Sequence, residues 1–193
     1  MAALVLLSWV WLAGGQAAPP PDYAAVYARG ITFAAFLEQA KSRTAEWRQH
    51  YNDAAVTPEL MSQMRALPDR RRILVVAEDW CGDSVNSLPY LARLVDGAPE
   101  RLELRIVNSA AGQAVQEAHR TADGRVATPT VVILAEDGRF IGAWTERPAA
   151  LAEHVAELKK TLSESEVKTR IRQWYLDDAG RSSMADTAAL LSK

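Results

Sequence analysis

The chain has 193 residues, of which 49% are hydrophobic and 24% are charged, and its formal net charge is −2. A chain of this length and composition can bury a sizeable core, which predicts one domain with extensions. Lys and Arg are interspersed with Asp and Glu rather than gathered into a basic stripe, so no nucleic-acid partner is expected.

Residues 1–18 have the pattern of a signal peptide. An apolar stretch from Ala2 to Ala13 precedes the small-x-small pattern Gly15-Gln16-Ala17 of a cleavage site. The stretch is shorter than the roughly 20 residues of a membrane-spanning helix. We therefore expect a periplasmic or secreted protein with no permanent membrane anchor. No Lys or Arg precedes the stretch, so a mis-called start codon and a cytoplasmic protein are the alternative.

Residues 19–70 are predicted to form an N-terminal helical extension. Apolar residues near the helical period predict one long amphipathic helix from about Thr32 to Tyr51, with Thr32 as its N-cap. A second, short helix is expected to begin at Thr57-Pro58, because Pro is favoured at the first helical position, and to end before Pro68.

Residues 71–162 are predicted to form an α/β domain. The continuous apolar run from Ile73 to Ala77 is typical of a central strand that is covered on both faces. A helical pattern from Val85 to Val95 follows, with Pro89 inside it. The pattern then predicts strands at residues 102–107, 130–134 and 140–144, the last two joined by a hairpin turn, and helices at about 112–120 and 149–162.

Residues 163–193 are predicted to be a C-terminal helix and a tail. Apolar residues recur with the helical period from about Ser163 to Asp177. The final dozen residues are expected to be frayed.

Cys81 is the only cysteine of the chain, which excludes an internal disulfide and a cysteine-only zinc site. It lies where the first strand gives way to a helix, and backbone N–H groups at a helix N-terminus favour a thiolate. The nearby acids Glu78, Asp79 and Asp83 would disfavour that charge if they face the sulfur. The pattern predicts a reactive thiol, with a buried, inert thiol as the alternative.

The sequence Trp80-Cys81-Gly82-Asp83-Ser84 at this turn resembles the active-site motif of the thioredoxin-like superfamily. The likeness runs from about Arg72 to Leu162 and implies a thioredoxin-like fold, in which helices flank a central mixed β-sheet. It also implies that Thr128-Pro129 forms a cis-proline loop, which packs against the cysteine and offers backbone groups to an extended substrate.

A closer likeness is to a bacterial thioredoxin family subgroup that carries a Trp-Cys-Gly-Asp-Cys/Ser motif. It extends across most of the chain. Its matching positions outside the motif are Leu88-Pro89, Gly142, Trp144, Arg147-Pro148 and Trp174-Tyr175.

Two positions depart from a dithiol thioredoxin. Ser84 stands where the second cysteine would resolve a mixed disulfide, and a hydroxyl cannot perform that attack. Val75 stands where thioredoxins keep a buried acid, six residues before the nucleophile. Both departures indicate a monothiol protein.

Cys81 and Ser84 are the predicted catalytic residues. Ser84 is expected to be an N-cap or first-turn residue of the helix, to contact the Cys81 sulfur, or both. Trp80 is expected to form an apolar shoulder for a substrate rather than part of the core. The predicted substrate-binding residues are Trp80, Gly82, Asp83, Thr128 and Pro129.

The other tryptophans and the histidines are expected to have structural rather than chemical roles. Trp47, Trp144 and Trp174 are expected to pack the domain against its helical extensions. His50, His119 and His154 are interpreted as surface histidines because they lack metal-ligand spacing. No metal and no cofactor are predicted.

The leading functional hypothesis is a monothiol thioredoxin-like thiol-disulfide redox protein. Cys81 would form a mixed disulfide with a protein disulfide or a low-molecular-weight thiol partner. The main alternative is a redox-inert thioredoxin-fold module that binds peptide. A monothiol glutaredoxin-like protein is a lesser alternative. The residues that precede Cys81 do not form the threonine- and proline-containing motif of a one-cysteine peroxidase.

Overall fold

The computed structural model describes residues 19–193, so the predicted signal peptide lies outside the described residues. The strands are β1 (Arg71–Val76), β2 (Leu102–Val107), β3 (Thr130–Ala135) and β4 (Phe140–Thr145). The helices are α1 (Tyr23–Ala28), α2 (Phe33–Gln39), α3 (Thr44–Asp53), α4 (Pro58–Arg65), α5 (Gly82–Val85), α6 (Leu88–Asp96), α7 (Ser109–Ala118), α8 (Ala149–Leu158), α9 (Glu164–Asp178) and α10 (Arg181–Leu191).

The four strands form one mixed sheet in the order β2-β1-β3-β4. β1 is parallel to β2 and antiparallel to β3, and β3 pairs antiparallel with β4. Val76 at the end of β1 lies opposite Val107 on one side and Thr130 on the other. This edge of the sheet therefore brings together the turn after β1 and the loop before β3.

Alternate residues of β1 enter the two halves of the core, as expected for a central strand. Leu74 and Val76 face α1 and α7. Ile73 and Val75 face the larger half, which α2, α3, α4, α6 and α10 cover. The mixed sheet with helices on both faces is the predicted thioredoxin-like fold, and both terminal extensions pack onto its core.

The prediction of one long helix from Thr32 to Tyr51 is wrong. The chain leaves the helix at Ala40, and Arg43 adopts a left-handed conformation with φ of 52° before α3 begins. Asp79 stabilises this break, because its Oδ2 accepts hydrogen bonds from the backbone N–H groups of Lys41 at 2.6 Å and Ser42 at 3.0 Å. The predicted helix at Pro58 is confirmed as α4, with Thr57 as its cap.

The helical pattern after Cys81 is also divided in two. α5 is a single turn, and α6 begins at Leu88 with Pro89 in its first turn. Proline lacks the N–H that an interior helical position would donate, so it fits at a helix start.

The expectation that the final dozen residues are frayed is wrong. They form most of α10, whose Met184, Ala188 and Leu191 are buried in the larger half of the core. Arg71 of β1 is buried beneath this helix and donates a hydrogen bond from Nε to the Leu191 carbonyl oxygen at 3.1 Å. The small residues of α10 produce a weak apolar pattern, which explains why the sequence did not reveal the helix.

Candidate functional site

Cys81 occupies the turn between β1 and α5. It is the N-cap residue of α5, and its carbonyl oxygen accepts a hydrogen bond from the Val85 N–H at 3.1 Å. The side chain is 8% exposed. Its Sγ donates a hydrogen bond to the Thr128 carbonyl oxygen at 3.2 Å. The thiol therefore lies against the backbone of the Thr128-Pro129 loop.

The Thr128-Pro129 peptide bond is cis and lies at the position of the superfamily's cis-proline loop. Neighbouring elements hold the loop on both sides. The Ala127 carbonyl oxygen accepts from Gln116 Nε2 at 3.1 Å, and the Pro129 carbonyl oxygen accepts from the Glu146 N–H at 2.8 Å. The Thr128 N–H donates to no acceptor among residues 19–193, which leaves this group free to bind another chain.

Ser84 is fully buried within α5. Its Oγ forms no hydrogen bond with any atom of residues 19–193, so neither the predicted cap nor the predicted hydrogen bond to the Cys81 sulfur is formed. The reason is local. Because Cys81 itself is the N-cap of α5, Ser84 lies in the first turn of the helix, which is the other position expected for it.

The three acids that surround the motif in sequence are each bound by other groups. Glu78 accepts a hydrogen bond from the Ser109 N–H at 2.8 Å. Asp79 accepts hydrogen bonds from the two backbone N–H groups in the break between α2 and α3. Asp83 forms an ion pair with Arg147. Each of the three carboxylates therefore has hydrogen-bond partners other than the Cys81 sulfur, and only that of Asp83 is paired with a cation.

Asp83, Arg147 and Tyr175 form a largely buried polar cluster beside the motif. The guanidinium donates to Asp83 at 3.2 and 3.1 Å, and the Tyr175 hydroxyl donates to Asp83 Oδ1 at 2.9 Å. Burial raises the pKa of Asp83, although Arg147 and Tyr175 act in the opposite direction. Burial, together with the Asp83 charge, raises the pKa of Tyr175. The cluster joins α5 to α9 and to the segment after β4.

The N-terminal extension also holds the motif in place, which the sequence did not indicate. The Trp47 indole donates from Nε1 to the Asp79 carbonyl oxygen at 2.9 Å. Arg43 donates from Nε to the Trp80 carbonyl oxygen at 3.1 Å. The Trp80 side chain itself is 62% exposed, so the predicted apolar shoulder is available and a core position is excluded.

The interpretation of all three histidines as surface residues is wrong for two of them. His154 is exposed, whereas His50 and His119 are half-buried. His119 Nε2 and the Tyr23 hydroxyl share a hydrogen bond of 2.8 Å, and the His119 ring stacks against Tyr23 and Phe140. Burial lowers the pKa of His119.

The predicted packing of the tryptophans on the extensions is confirmed for Trp47 and Trp144. Trp47 is fully buried in the half of the core that contains Ile73 of β1, and the Trp144 indole donates to Thr187 Oγ1 of α10 at 3.0 Å. Trp174 packs with the cluster that α8 and α9 share.

The described part of the chain contains neither a metal site nor a membrane-spanning helix. No group of three or more His, Cys, Asp or Glu side chains in residues 19–193 is arranged to hold a metal ion. None of the helices in that range is long and apolar enough to cross a membrane.

Comparison with solved structures shows the same fold in two other chains. A protein of unknown function from Pseudomonas aeruginosa superposes with a TM-score of 0.72 and 22% identity, over 89% of this chain and 97% of that chain. An HIV epitope-scaffold protein superposes with a TM-score of 0.69 and 21% identity, over 89% of this chain and 98% of its own. At these identities the likeness concerns the fold alone.

Comparison of sequences identifies the family. No curated protein is significantly similar to this chain. A family model described as thioredoxin matches residues 30–160, a range that contains the Cys81 motif, the Thr128-Pro129 loop and all four strands. Because this match covers more than half of the sequence, the chain belongs to that thioredoxin family.

Proposed function

We propose that this protein is a monothiol thiol-disulfide exchange protein, in which Cys81 forms a mixed disulfide with its partner. The observation that carries the proposal is the position of the Cys81 thiol, 3.2 Å from the carbonyl oxygen of Thr128 in the cis-proline loop. The exposed Trp80 precedes the cysteine in the chain, and the free Thr128 N–H belongs to the residue whose carbonyl oxygen the thiol contacts. An extended partner segment could use the first for apolar contact and the second for a backbone hydrogen bond.

The reaction is a displacement at sulfur. The Cys81 thiol first loses its proton to solvent, and the thiolate then attacks one sulfur of the partner disulfide. A new bond forms to Cys81, the partner's S–S bond breaks, and its other sulfur leaves as a thiolate. Ser84 cannot displace the bound half, so a thiolate from a second molecule must restore Cys81 and release that half as a new disulfide.

The test uses the full chain with and without Cys81. Reduced protein is mixed with hydroxyethyl disulfide under native conditions, and intact-mass spectrometry follows the addition of one hydroxyethyl-thiol group. We expect the native wild type to form the adduct at least as fast as the denatured protein, and Cys81→Ala to form none. An adduct that appears only after denaturation would contradict the proposal.

One observation favours a second candidate function, a redox-inert module that binds extended peptide. Cys81 is only 8% exposed, and its S–H already donates to Thr128. In that case Trp80 and the Thr128-Pro129 loop would be the functional groups. Cys81→Ser would then leave partner binding intact, whereas Trp80→Ala would weaken it.

A further inference from the structure

A basic groove lies directly beside the proposed reaction site. This basic groove is a cavity of about 720 Å³ between α5, α9 and the start of α3, and its cations are Arg43, Arg147, Lys168 and Arg172. Gly82, which follows Cys81, forms part of its wall. Lys168, Ile171 and Arg172 of α9 line it as well. A ligand in this groove would therefore lie next to the turn that carries the cysteine.

The cations of the basic groove fall into two groups. Arg43 pairs with Glu46 at 2.8 Å, and Arg147 pairs with Asp83 at 3.1 Å. Lys168 and Arg172, in contrast, have no carboxylate of residues 19–193 within the 4.0 Å limit of an ion pair. The groove thus holds four cations against two carboxylates in a chain whose formal net charge is −2.

The excess of positive charge is confined to the basic groove. A neighbouring cavity of about 540 Å³ shares Arg147, Lys168 and Ile171 with it, but the cations that this cavity adds, Arg125 and Lys159, are accompanied by the carboxylates Glu146 and Glu164. Positions four residues apart on a helix lie on the same side, so Lys168 and Arg172 can act on one anionic group. Their exposure leaves both ammonium and guanidinium donors available to a ligand.

We propose that the basic groove binds the anionic flank of the disulfide partner, so that Cys81 selects disulfides that carry carboxylates. This inference rests on the proposed function. Lys168 and Arg172 are specificity-determining residues in this scheme, because they contact the partner's carboxylate and not the exchanging sulfurs. The exchange itself is the displacement described above, and the groove only raises the concentration of anionic partners at the thiol.

The test compares three small disulfides of different charge. Dithiodiglycolate is anionic, hydroxyethyl disulfide is neutral and cystamine is cationic. The rate of adduct formation at Cys81 is measured for each with the wild type and with Lys168→Glu/Arg172→Glu. We expect the dithiodiglycolate-to-cystamine rate ratio to fall roughly 3- to 30-fold in the variant, since each exposed ion pair contributes a modest amount. The neutral disulfide should react equally with both proteins.

A matched control places the same charge change elsewhere. Arg139 and Lys193 are both exposed, and both lie toward the end of the sheet that is remote from Cys81. Arg139→Glu/Lys193→Glu should keep the wild-type rate ratio. In about 1 M salt the wild-type preference should shrink, because screening shortens the reach of charge to roughly 3 Å. An unchanged ratio in Lys168→Glu/Arg172→Glu, with Cys81 still reactive, would overturn the proposal for the groove and leave the proposed function standing.

A binding measurement separates the two ideas if Cys81 reacts with none of the three disulfides, an outcome that would overturn the proposed function. The Cys81→Ser protein is titrated by calorimetry with a short glutamate-only peptide and with a lysine-only peptide of equal length. Preference for the glutamate peptide, lost in Lys168→Glu/Arg172→Glu, would support an anion-binding groove without redox chemistry. Equal binding of the two peptides would overturn the proposal for the groove.

Discussion

At the scale of single residues, Ser84 shows how a motif position can differ from its usual chemistry. Its hydroxyl is fully buried and has no hydrogen-bond partner among residues 19–193. A buried polar group without a partner costs about 1–3 kcal/mol of stability. The hydroxyl therefore adds no hydrogen bond to the part of the fold that is described.

Ser84→Ala should stabilise the protein. The change removes the unpaired hydroxyl and introduces the residue with the highest helix propensity. We expect the free energy of unfolding to rise by about 1 kcal/mol, measured by urea denaturation. A decrease in stability would show that the hydroxyl has a partner, such as a bound water or the Cys81 sulfur.

Ser87 provides the control, because it is equally buried but paired. Ser183 of α10 donates from its Oγ to Ser87 Oγ at 3.1 Å. Ser87→Ala leaves that donor without an acceptor, so the free energy of unfolding should fall by about 1 kcal/mol. The two substitutions are chemically identical and are predicted to have opposite signs.

At the scale of secondary-structure elements, the junction between α9 and α10 decides how the C-terminal segment reaches the core. Gly180 makes this turn with φ of 74°. A Cβ at this position would lie 2.1 Å from the Tyr90 ring, which is itself buried. The turn and the close approach of α6 thus both require glycine here.

Gly180→Ala should be strongly destabilising. Strain at positive φ costs roughly 1–2 kcal/mol for a residue with a Cβ, and the clash with Tyr90 adds roughly 1–3 kcal/mol. We expect a loss of about 2–5 kcal/mol in the free energy of unfolding, measured by urea denaturation. Gly124 has a similar φ of 82°, but a Cβ added there would meet no atom of residues 19–193 within 4 Å. Gly124→Ala should therefore show the conformational cost alone, and equal losses at both positions would contradict the predicted clash.

At the scale of the whole molecule, the corner where α1, α7 and β4 meet makes stability depend on pH. His119 lies there between Tyr23 and Phe140, and burial lowers the pKa of its imidazole below the ordinary 6.5. The native state then binds a proton less readily than the unfolded chain does. The contribution of His119 to stability is complete at pH values above the ordinary histidine pKa of 6.5, and it is lost as the pH falls through the lower pKa of the native state.

His119→Gln should reduce this pH dependence. Between about pH 7.5 and pH 5.5 the free energy of unfolding of the wild type should fall, and that of His119→Gln should fall less. Urea denaturation at several pH values measures the slope. His154→Gln removes an exposed histidine and should keep the wild-type slope. Burial raises the pKa of Asp83 above the ordinary 3.8, so protonation of this carboxylate favours the native state as the pH falls toward 3.8. This effect is opposite in sign to that of His119 and is common to all three proteins.

The sequence by itself determined the α/β core and the position of the cysteine. The strand at Leu102–Val107, the hairpin that follows β3 and the turn that carries Cys81 all depend on local patterns, because strand periodicity, turn residues and helix caps act over a few neighbouring residues. The role of the Thr128-Pro129 loop was expected only from the resemblance to a family, because a family motif reflects contacts between residues that are far apart in the chain.

The tertiary structure alone decided the surroundings of that cysteine. The break between α2 and α3 is stabilised by Asp79, which is 38 residues from Lys41 in the chain. The cluster of Asp83, Arg147 and Tyr175 and the basic groove likewise join segments that no local pattern connects. Such contacts form only after the sheet and helices have packed, so charge and burial at the site depend on the folded molecule as a whole.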